Sequence, residues 1–142
     1  GLPAPALIAI SGPDAYISPD WYGPHDQVPD QVPTWNYVAV QLRGTLGPLP
    51  EDAMRAHVDA LSAEHETRIA SKRPWTSAKM TERAMPRMMW MILPFPFHVT
   101  PVEGTWKLNQ NKTPEIRARA AEALSQGNPS AQAIAALIRD LP

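Results

Sequence analysis

Proline constrains the fold of this chain more than any other residue type does. The 142 residues include 17 prolines, a share more than twice the usual value of about 5%. Because proline fixes φ and lacks a backbone N–H, this density predicts many turns and few long helices. The chain is nevertheless 44% hydrophobic, which is enough apolar material for a core. We therefore expect one folded domain rather than a disordered segment.

Several protein classes are excluded at once. The sequence contains no cysteine, so disulfide scaffolds, thiolate metal clusters and cysteine catalysis are ruled out. The longest apolar stretch, residues 88–97, contains two prolines and is too short to cross a bilayer. The first residues lack the basic region of a signal peptide, so we expect a soluble cytoplasmic protein without a membrane partner. Because the chain opens on glycine, we also expect it to begin within a longer gene product or with a tag remnant.

Charge is distributed unevenly along the chain. Residues 1–67 have a formal net charge of −7 and residues 68–142 one of +6. The basic excess is densest over residues 68–87, which contain six basic residues and one acidic residue. Such a window suits the phosphates of a nucleotide or of DNA, and it is equally typical of a solvated surface.

Alternation of side chains predicts the strands. The clearest strand is Thr34 to Leu46, and both of its faces are rather apolar, as in a barrel or at a subunit interface. Turn signals at 11–13 and 103–104 are each expected to separate two shorter strands, and the two strands on either side of 103–104 are expected to form a hairpin. These shorter strands are predicted at 6–10, 15–17, 91–102 and 105–109.

Helical spacing and capping residues predict four helices. An amphipathic helix over 51–70 is opened by Leu49-Pro50-Glu51-Asp52, because proline and acidic residues suit a first turn. A weaker helix is expected over 76–85, ended by Pro86. Capping signals at 113–115 and 128–129 predict two C-terminal helices that reach about 126 and 141. The proline-rich stretch 18–33 is predicted to be a long loop, a type of segment that is often functional.

No established catalytic motif is present. The seven glycines form no G-x-S-x-G, P-loop or G-x-G-x-x-G pattern. His57 and His65 are eight residues apart, whereas metal pairs on helices are three or four apart. We therefore predict no metal site and name no catalytic residue.

Two clusters of polar and aromatic residues remain, at 33–37 and 104–112. Tryptophan offers a flat apolar surface, amides pair with ring heteroatoms, and lysine neutralises phosphate. The clusters therefore suit a flat heteroaromatic ligand with a phosphate tail, although capping amides and surface lysines would give the same pattern. The candidate binding residues are Trp35, Asn36, Tyr37, Trp106, Lys107, Asn109, Gln110, Asn111 and Lys112.

These clusters also carry a resemblance to a known family. The stretches 12–22, 32–40, 65–66 and 103–112 resemble, in order and spacing, the PaiB-type FMN-binding negative transcriptional regulators. The similarity spans about residues 5–126. It implies a mainly β fold with flanking helices, namely a split β-barrel that binds FMN at the interface of a homodimer.

The resemblance also implies a domain organisation. Residues 1–112 would form part of the barrel domain, with a helical insertion at about 50–86, and the helices of 113–142 would pack on it. The family's first barrel strands are absent from this chain, and the family usually runs an unbroken strand where Pro94 and Pro96 stand. It also more often has Ser and Arg at the positions of Asn109 and Lys112.

The implied residue roles fall into four groups. Lys107 and Lys112 would face the phosphate, and hydrogen bonds to the phosphate or the ring would come from Asn36, Asn109, Gln110 and Asn111. The flavin ring would lie against Trp35, Tyr37 and Trp106. The pocket would be closed by Tyr16, Ser18 and Trp21.

Four functions stay open at this point. The first is an FMN-binding negative transcriptional regulator, and the second is an FMN-dependent oxidoreductase. The third is a repressor that binds DNA directly, although the last predicted helix carries only one basic residue and nothing in the chain is typical of base reading. The fourth is a cofactor-free dimeric regulator.

Overall fold

The computed structural model describes residues 1–48 and 53–142. Within those ranges the chain forms three strands and four α-helices, joined by two short 3-10 turns at Pro19–Tyr22 and Ser77–Lys79. The strands are β1 (Ala4–Ile17), β2 (Thr34–Leu46) and β3 (Phe97–Lys107), and the helices are α1 (Ala53–Thr67), α2 (Ala84–Met89), α3 (Pro114–Ser125) and α4 (Pro129–Arg139). The predicted opening of the first helix at 49–52 lies outside the described residues.

The strands form one antiparallel sheet in the order β1-β2-β3. Within the sheet, prolines occur in the two outer strands and not in the central strand. Pro5 and Pro13 lie in β1 and Pro101 in β3, whereas the central strand β2 contains none. Because a proline cannot donate to a ladder, it is tolerated where one side of a strand has no neighbour. The two outer strands therefore hold the prolines that would break the central one.

Two predicted turns are wrong. β1 continues through Gly12 and Pro13, and β3 continues through Glu103 and Gly104, so the expected hairpin does not form. Gly104 serves close packing instead, because a Cβ there would overlap the ring of Trp106. Glycine and proline are compatible with extended backbone at a sheet edge, and a local turn signal does not distinguish that use.

Two further bounds differ from prediction for reasons that involve proline. The predicted strand over 91–102 begins only at Phe97, after Pro94 and Pro96, which lack ladder donors. The predicted helix over 76–85 is also wrong, since the second helix occupies 84–89 with Pro86 inside it. Proline is accommodated there because the first turn of a helix does not use its N–H groups.

The fold is a mixed α/β structure rather than a mainly β one. Its sheet is open across the described residues, which also form four helices. The merged strands and the shortened β3 leave three strands where five were expected, too few to close into a barrel. The split β-barrel is therefore not confirmed.

The described chain divides into two compact units. The first unit comprises 1–6 and 44–99, and the second comprises 7–43 and 100–142. The first unit contains α1 and α2. None of the helices in the described ranges is long and apolar enough to span a membrane.

The second unit holds the main hydrophobic core. Helices α3 and α4 pair there and bury small and branched side chains against the sheet and the first 3-10 turn. Asn128 caps α4 by accepting a hydrogen bond from Ala131 N at 2.9 Å, and Pro129 follows it, as predicted. The core residues are Ala15, Ile17, Tyr22, Leu108, Ala120, Ala121, Leu124, Ala131, Ile134, Ala135 and Ile138.

Candidate functional site

A cavity of about 190 Å³ in the second unit gathers most of the polar residues singled out in the sequence. We call it the lysine pocket. It combines two lysines with amide, hydroxyl and carboxylate groups. Its lining residues are Tyr22, Asp30, Gln31, Val32, Thr34, Lys107, Asn109, Asn111 and Lys112.

Strand pairing positions one side of the lysine pocket. Thr34 is the first residue of β2, and Lys107 is the last residue of β3. Because antiparallel neighbours run in opposite directions, these two ends meet. Lys107 Nζ donates to Thr34 Oγ1 at 2.7 Å. One ammonium group is thereby held at the rim of the sheet.

A tight turn after β3 positions the other side. Asn109 has a φ of 63°, in the left-handed region that asparagine tolerates better than most residues. Lys112 N donates to Asn109 O at 2.9 Å, which closes the turn. The side chain of Gln110 accepts from Leu108 N at 2.8 Å and donates to Trp106 O. Gln110 therefore fixes the turn with both of its amide atoms.

Asn109 lines the pocket and has a buried side-chain amide that is only partly hydrogen-bonded. Its residue surface is only 6% exposed. Its Oδ1 accepts a hydrogen bond from the hydroxyl of Tyr22 at 3.3 Å, but its Nδ2 has no partner among the described residues. Burial raises the pKa of Tyr22, and the hydrogen bond with Asn109 lowers it in part. A buried amide donor without a partner costs about 1–3 kcal/mol, so this atom is suited to an acceptor from a ligand.

Lys112 contacts one residue of the loop that precedes β2 and one residue of the first 3-10 turn. Its Nζ donates to Gln31 Oε1 and lies 4.9 Å from the centroid of the Tyr22 ring. The latter distance permits a cation–π interaction. Asp30, with a φ of 57°, supplies the one carboxylate among the lining residues that the structure describes. Two ammonium groups against one carboxylate leave the pocket with a positive charge.

The donor set of the lysine pocket fits a phosphate group. Two lysines, the amide groups of Asn109 and Asn111, and the hydroxyl of Thr34 line it together. Charge-assisted hydrogen bonds from ammonium to phosphate oxygen are among the stronger ones in proteins. Asn109 Nδ2 is a further neutral donor, buried and without a partner among the described residues.

The aromatic residues singled out in the sequence do not line this pocket. Trp35 is 54% exposed and Trp106 is 51% exposed. Trp35 and Tyr37 lie on the face of β2 opposite Thr34, because successive strand residues point to opposite faces. The structure thus brings together Lys107, Asn109, Asn111 and Lys112, with Gln110 supporting their turn.

Asn36 also lies outside the lysine pocket. It is fully buried, and neither of its side-chain polar atoms has a hydrogen-bond partner among the described residues. It shares a face of β2 with Val38, which packs against the core.

Sequence reasoning missed five lining residues: Tyr22, Asp30, Gln31, Val32 and Thr34. The long loop over 18–33 was a signal for part of this set, since it supplies Tyr22, Asp30, Gln31 and Val32. Pairing the start of β2 with the end of β3 would have identified Thr34. Gln31 and Lys112 are 81 positions apart, so no local pattern could join them.

The comparisons with known proteins agree with one another. Residues 2–101 match the family model described as "Putative FMN-binding domain". The chain is also 28% identical over 135 residues to "Protease synthase and sporulation protein PAI 2" of Bacillus subtilis (strain 168). That alignment covers 94% of this chain and 62% of the relative. The chain thus spans somewhat less than two thirds of the relative's length.

Proposed function

The chain belongs to the FMN-binding domain family, its cofactor is FMN, and we propose that the lysine pocket holds the phosphate of that cofactor. Membership confirms the resemblance to the PaiB-type proteins inferred from the sequence. The matched range ends at residue 101, before Lys107 and Lys112. The assignment of the phosphate to this pocket therefore depends on its own chemistry.

The observation that carries the proposal is the set of two lysines, two asparagine amides and one threonine hydroxyl that line a single pocket. Lys107 and Lys112 act as point charges on the phosphate, and the amides of Asn109 and Asn111 donate to its oxygens. When FMN is bound, its ring supplies redox chemistry, and the protein supplies binding and orientation. Contacts of Trp35, Asn36, Tyr37, Trp106 and Gln110 with the flavin stay predictions.

One test of the proposal compares two lysine variants with a control. We expect Lys107→Ala and Lys112→Ala each to weaken FMN binding by about 1.5–3 kcal/mol, the range for losing a hydrogen bond to a charged group. Lys79→Ala is a matched control, because Lys79 lines none of the described pockets. Fluorescence titration of FMN measures the affinities, and circular dichroism checks the fold. Equal affinities in all three variants would remove the lysine pocket from the FMN site.

A homodimer is the second part of the proposal. Both outer strands expose large apolar side chains, among them Leu7, Ile8 and Ile10 of β1 and Val102 of β3. Exposed apolar side chains grouped as they are at 7–10 of β1 are typical of an interface. A second copy would cover such strand faces, and the resemblance implies that FMN then lies at the interface between the two copies. Sedimentation at micromolar concentration should give twice the mass of 15.7 kDa; a monomer at all concentrations would contradict the dimer.

A regulatory role is proposed by analogy with the relative, whose name links it to protease synthesis and sporulation. The basic window over 68–87 supplies charge but no base-reading element. The oxidoreductase alternative also stays a prediction, which turnover with a nicotinamide cofactor and an electron acceptor would test. The cofactor-free alternative loses support, because the family binds FMN.

A further inference from the structure

A second cavity of the second unit has a composition different from that of the lysine pocket. It encloses about 420 Å³, and we call it the aromatic pocket. Three aromatic side chains, one carboxylate and the ends of two helices form its walls. Its lining residues are Asp14, Ala15, Tyr16, Trp21, Trp35, Ala123, Leu124, Gln126, Gly127, Asn128 and Ala131.

The three aromatic rings come from three different elements. Tyr16 of β1 and Trp35 of β2 have ring centroids 6.1 Å apart and planes at 76°. Two adjacent walls therefore meet at nearly a right angle. Trp21, in the first 3-10 turn, packs against the hydrophobic core and forms a fixed third wall. Tyr16 and Trp35 remain 44% and 54% exposed, so their surfaces are accessible to a ligand.

The charges around this pocket have one sign. Among the described residues that line the pocket, Asp14 is the only one charged at neutral pH, and none is a Lys, Arg or His. Ser130 at the start of α4 anchors Asp14, because its Oγ accepts from Asp14 N and donates to Asp14 O, both at 2.8 Å. The faces of aromatic rings carry negative electrostatic potential. A carboxylate and three such rings together favour a positive ligand.

We propose that the aromatic pocket binds an organic cation of the quaternary or methylated ammonium class. Rings set at right angles are the arrangement in which several π faces contact one alkylated ammonium group. A diffuse, weakly hydrated cation gains more from these faces than a hard metal ion, which requires oxygen ligands. The volume of the pocket accommodates a trimethylammonium group and a short substituent.

This inference does not rest on FMN binding in the lysine pocket. Thr34 lines the lysine pocket and Trp35 lines the aromatic pocket. Consecutive residues of a strand point to opposite faces. The two pockets also have opposite charge preferences, because one presents ammonium groups and the other a carboxylate. Their ligands should therefore bind without competition, and on this proposal Trp35 contacts the cation instead of the flavin.

The test uses choline and its neutral isostere 3,3-dimethyl-1-butanol as probes of the purified chain. Both have the same shape, but only choline is charged. We expect choline to shift the indole N–H resonances of Trp21 and Trp35 in a nitrogen–proton NMR titration, with an affinity at least fivefold above that of the isostere. Equal binding of both probes, or no binding of choline, would overturn the proposal.

Variants locate the binding and separate it from the flavin. We expect Trp35→Leu and Asp14→Asn each to reduce choline affinity about fivefold, within the range for a cation–π contact. The matched control is Trp90→Leu, because Trp90 is 89% exposed and does not line this pocket. Unchanged affinity in both pocket variants would exclude the site. Displacement of choline by saturating FMN would assign the aromatic rings to the flavin and would also overturn the proposal.

Discussion

Asn36 illustrates how a single residue can conflict with its surroundings. It lies on the core-facing side of β2, fully buried, and both of its amide atoms lack partners in the part of the chain that the structure describes. A buried amide group in this state costs about 1–3 kcal/mol relative to a satisfied one. Either another molecule supplies the missing hydrogen bonds of such a side chain, or the side chain lowers the stability of the fold.

Replacing that amide should stabilise the isolated chain. We expect Asn36→Val to raise the free energy of unfolding by about 1–2 kcal/mol, because valine is apolar, similar in size and suited to a strand. Urea denaturation of both proteins at equal concentration measures the change. A loss of stability would mean that the Asn36 amide has hydrogen-bond partners beyond the described chain.

At the residue scale, the sequence identified some of the residues that line the lysine pocket and missed others. Lysines and amides after Trp106 indicated a phosphate-binding surface, and four of those residues do line one pocket. Gln110 instead holds its own turn through Leu108 and Trp106. A side chain that bonds to backbone two residues away gives the same sequence pattern as one that faces a ligand, so the two uses could not be separated beforehand.

At the scale of elements, alternation and capping residues predicted the bounds of strands and helices that depend on neighbouring residues. The bounds of β2 agree with prediction at both ends, and α3 and α4 begin at their predicted prolines. The turn signal at Gly104 failed because that glycine accommodates the Trp106 ring within a strand. Alternation and capping are properties of neighbouring residues, whereas the use of a glycine for packing depends on what lies over it.

Gly44 tests close packing between β2 and β3. A Cβ at Gly44 would overlap the backbone carbonyl of His98, and a backbone atom cannot move aside as a side chain can. We expect Gly44→Ala to lower the free energy of unfolding by about 1–3 kcal/mol. Gly47→Ala is the matched control, since its nearest neighbour atom would be Pro96 Cγ at 3.8 Å. Equal unfolding midpoints in urea for the two variants would show that the strands are not in close contact there.

At the scale of the whole molecule, the family was recognisable from the sequence, but the architecture was only partly so. The FMN-binding family followed from a few spaced motifs. The expected barrel requires more strands than the three that the described residues form. Strand closure depends on pairing between distant segments or between chains, which a single sequence does not specify. The exposed apolar residues of β1 and β3 are the physical reason to expect a partner for this sheet.

The central claim is that the lysine pocket binds the phosphate of FMN. Parallel fluorescence titrations with FMN and riboflavin test it most directly, because the two ligands differ only in that phosphate. We predict that FMN binds at least tenfold more tightly than riboflavin, as expected for charged hydrogen bonds worth about 1.5–3 kcal/mol. Lys112→Ala should reduce this preference and leave riboflavin binding unchanged. Equal affinities for FMN and riboflavin in the unmodified chain would contradict the account.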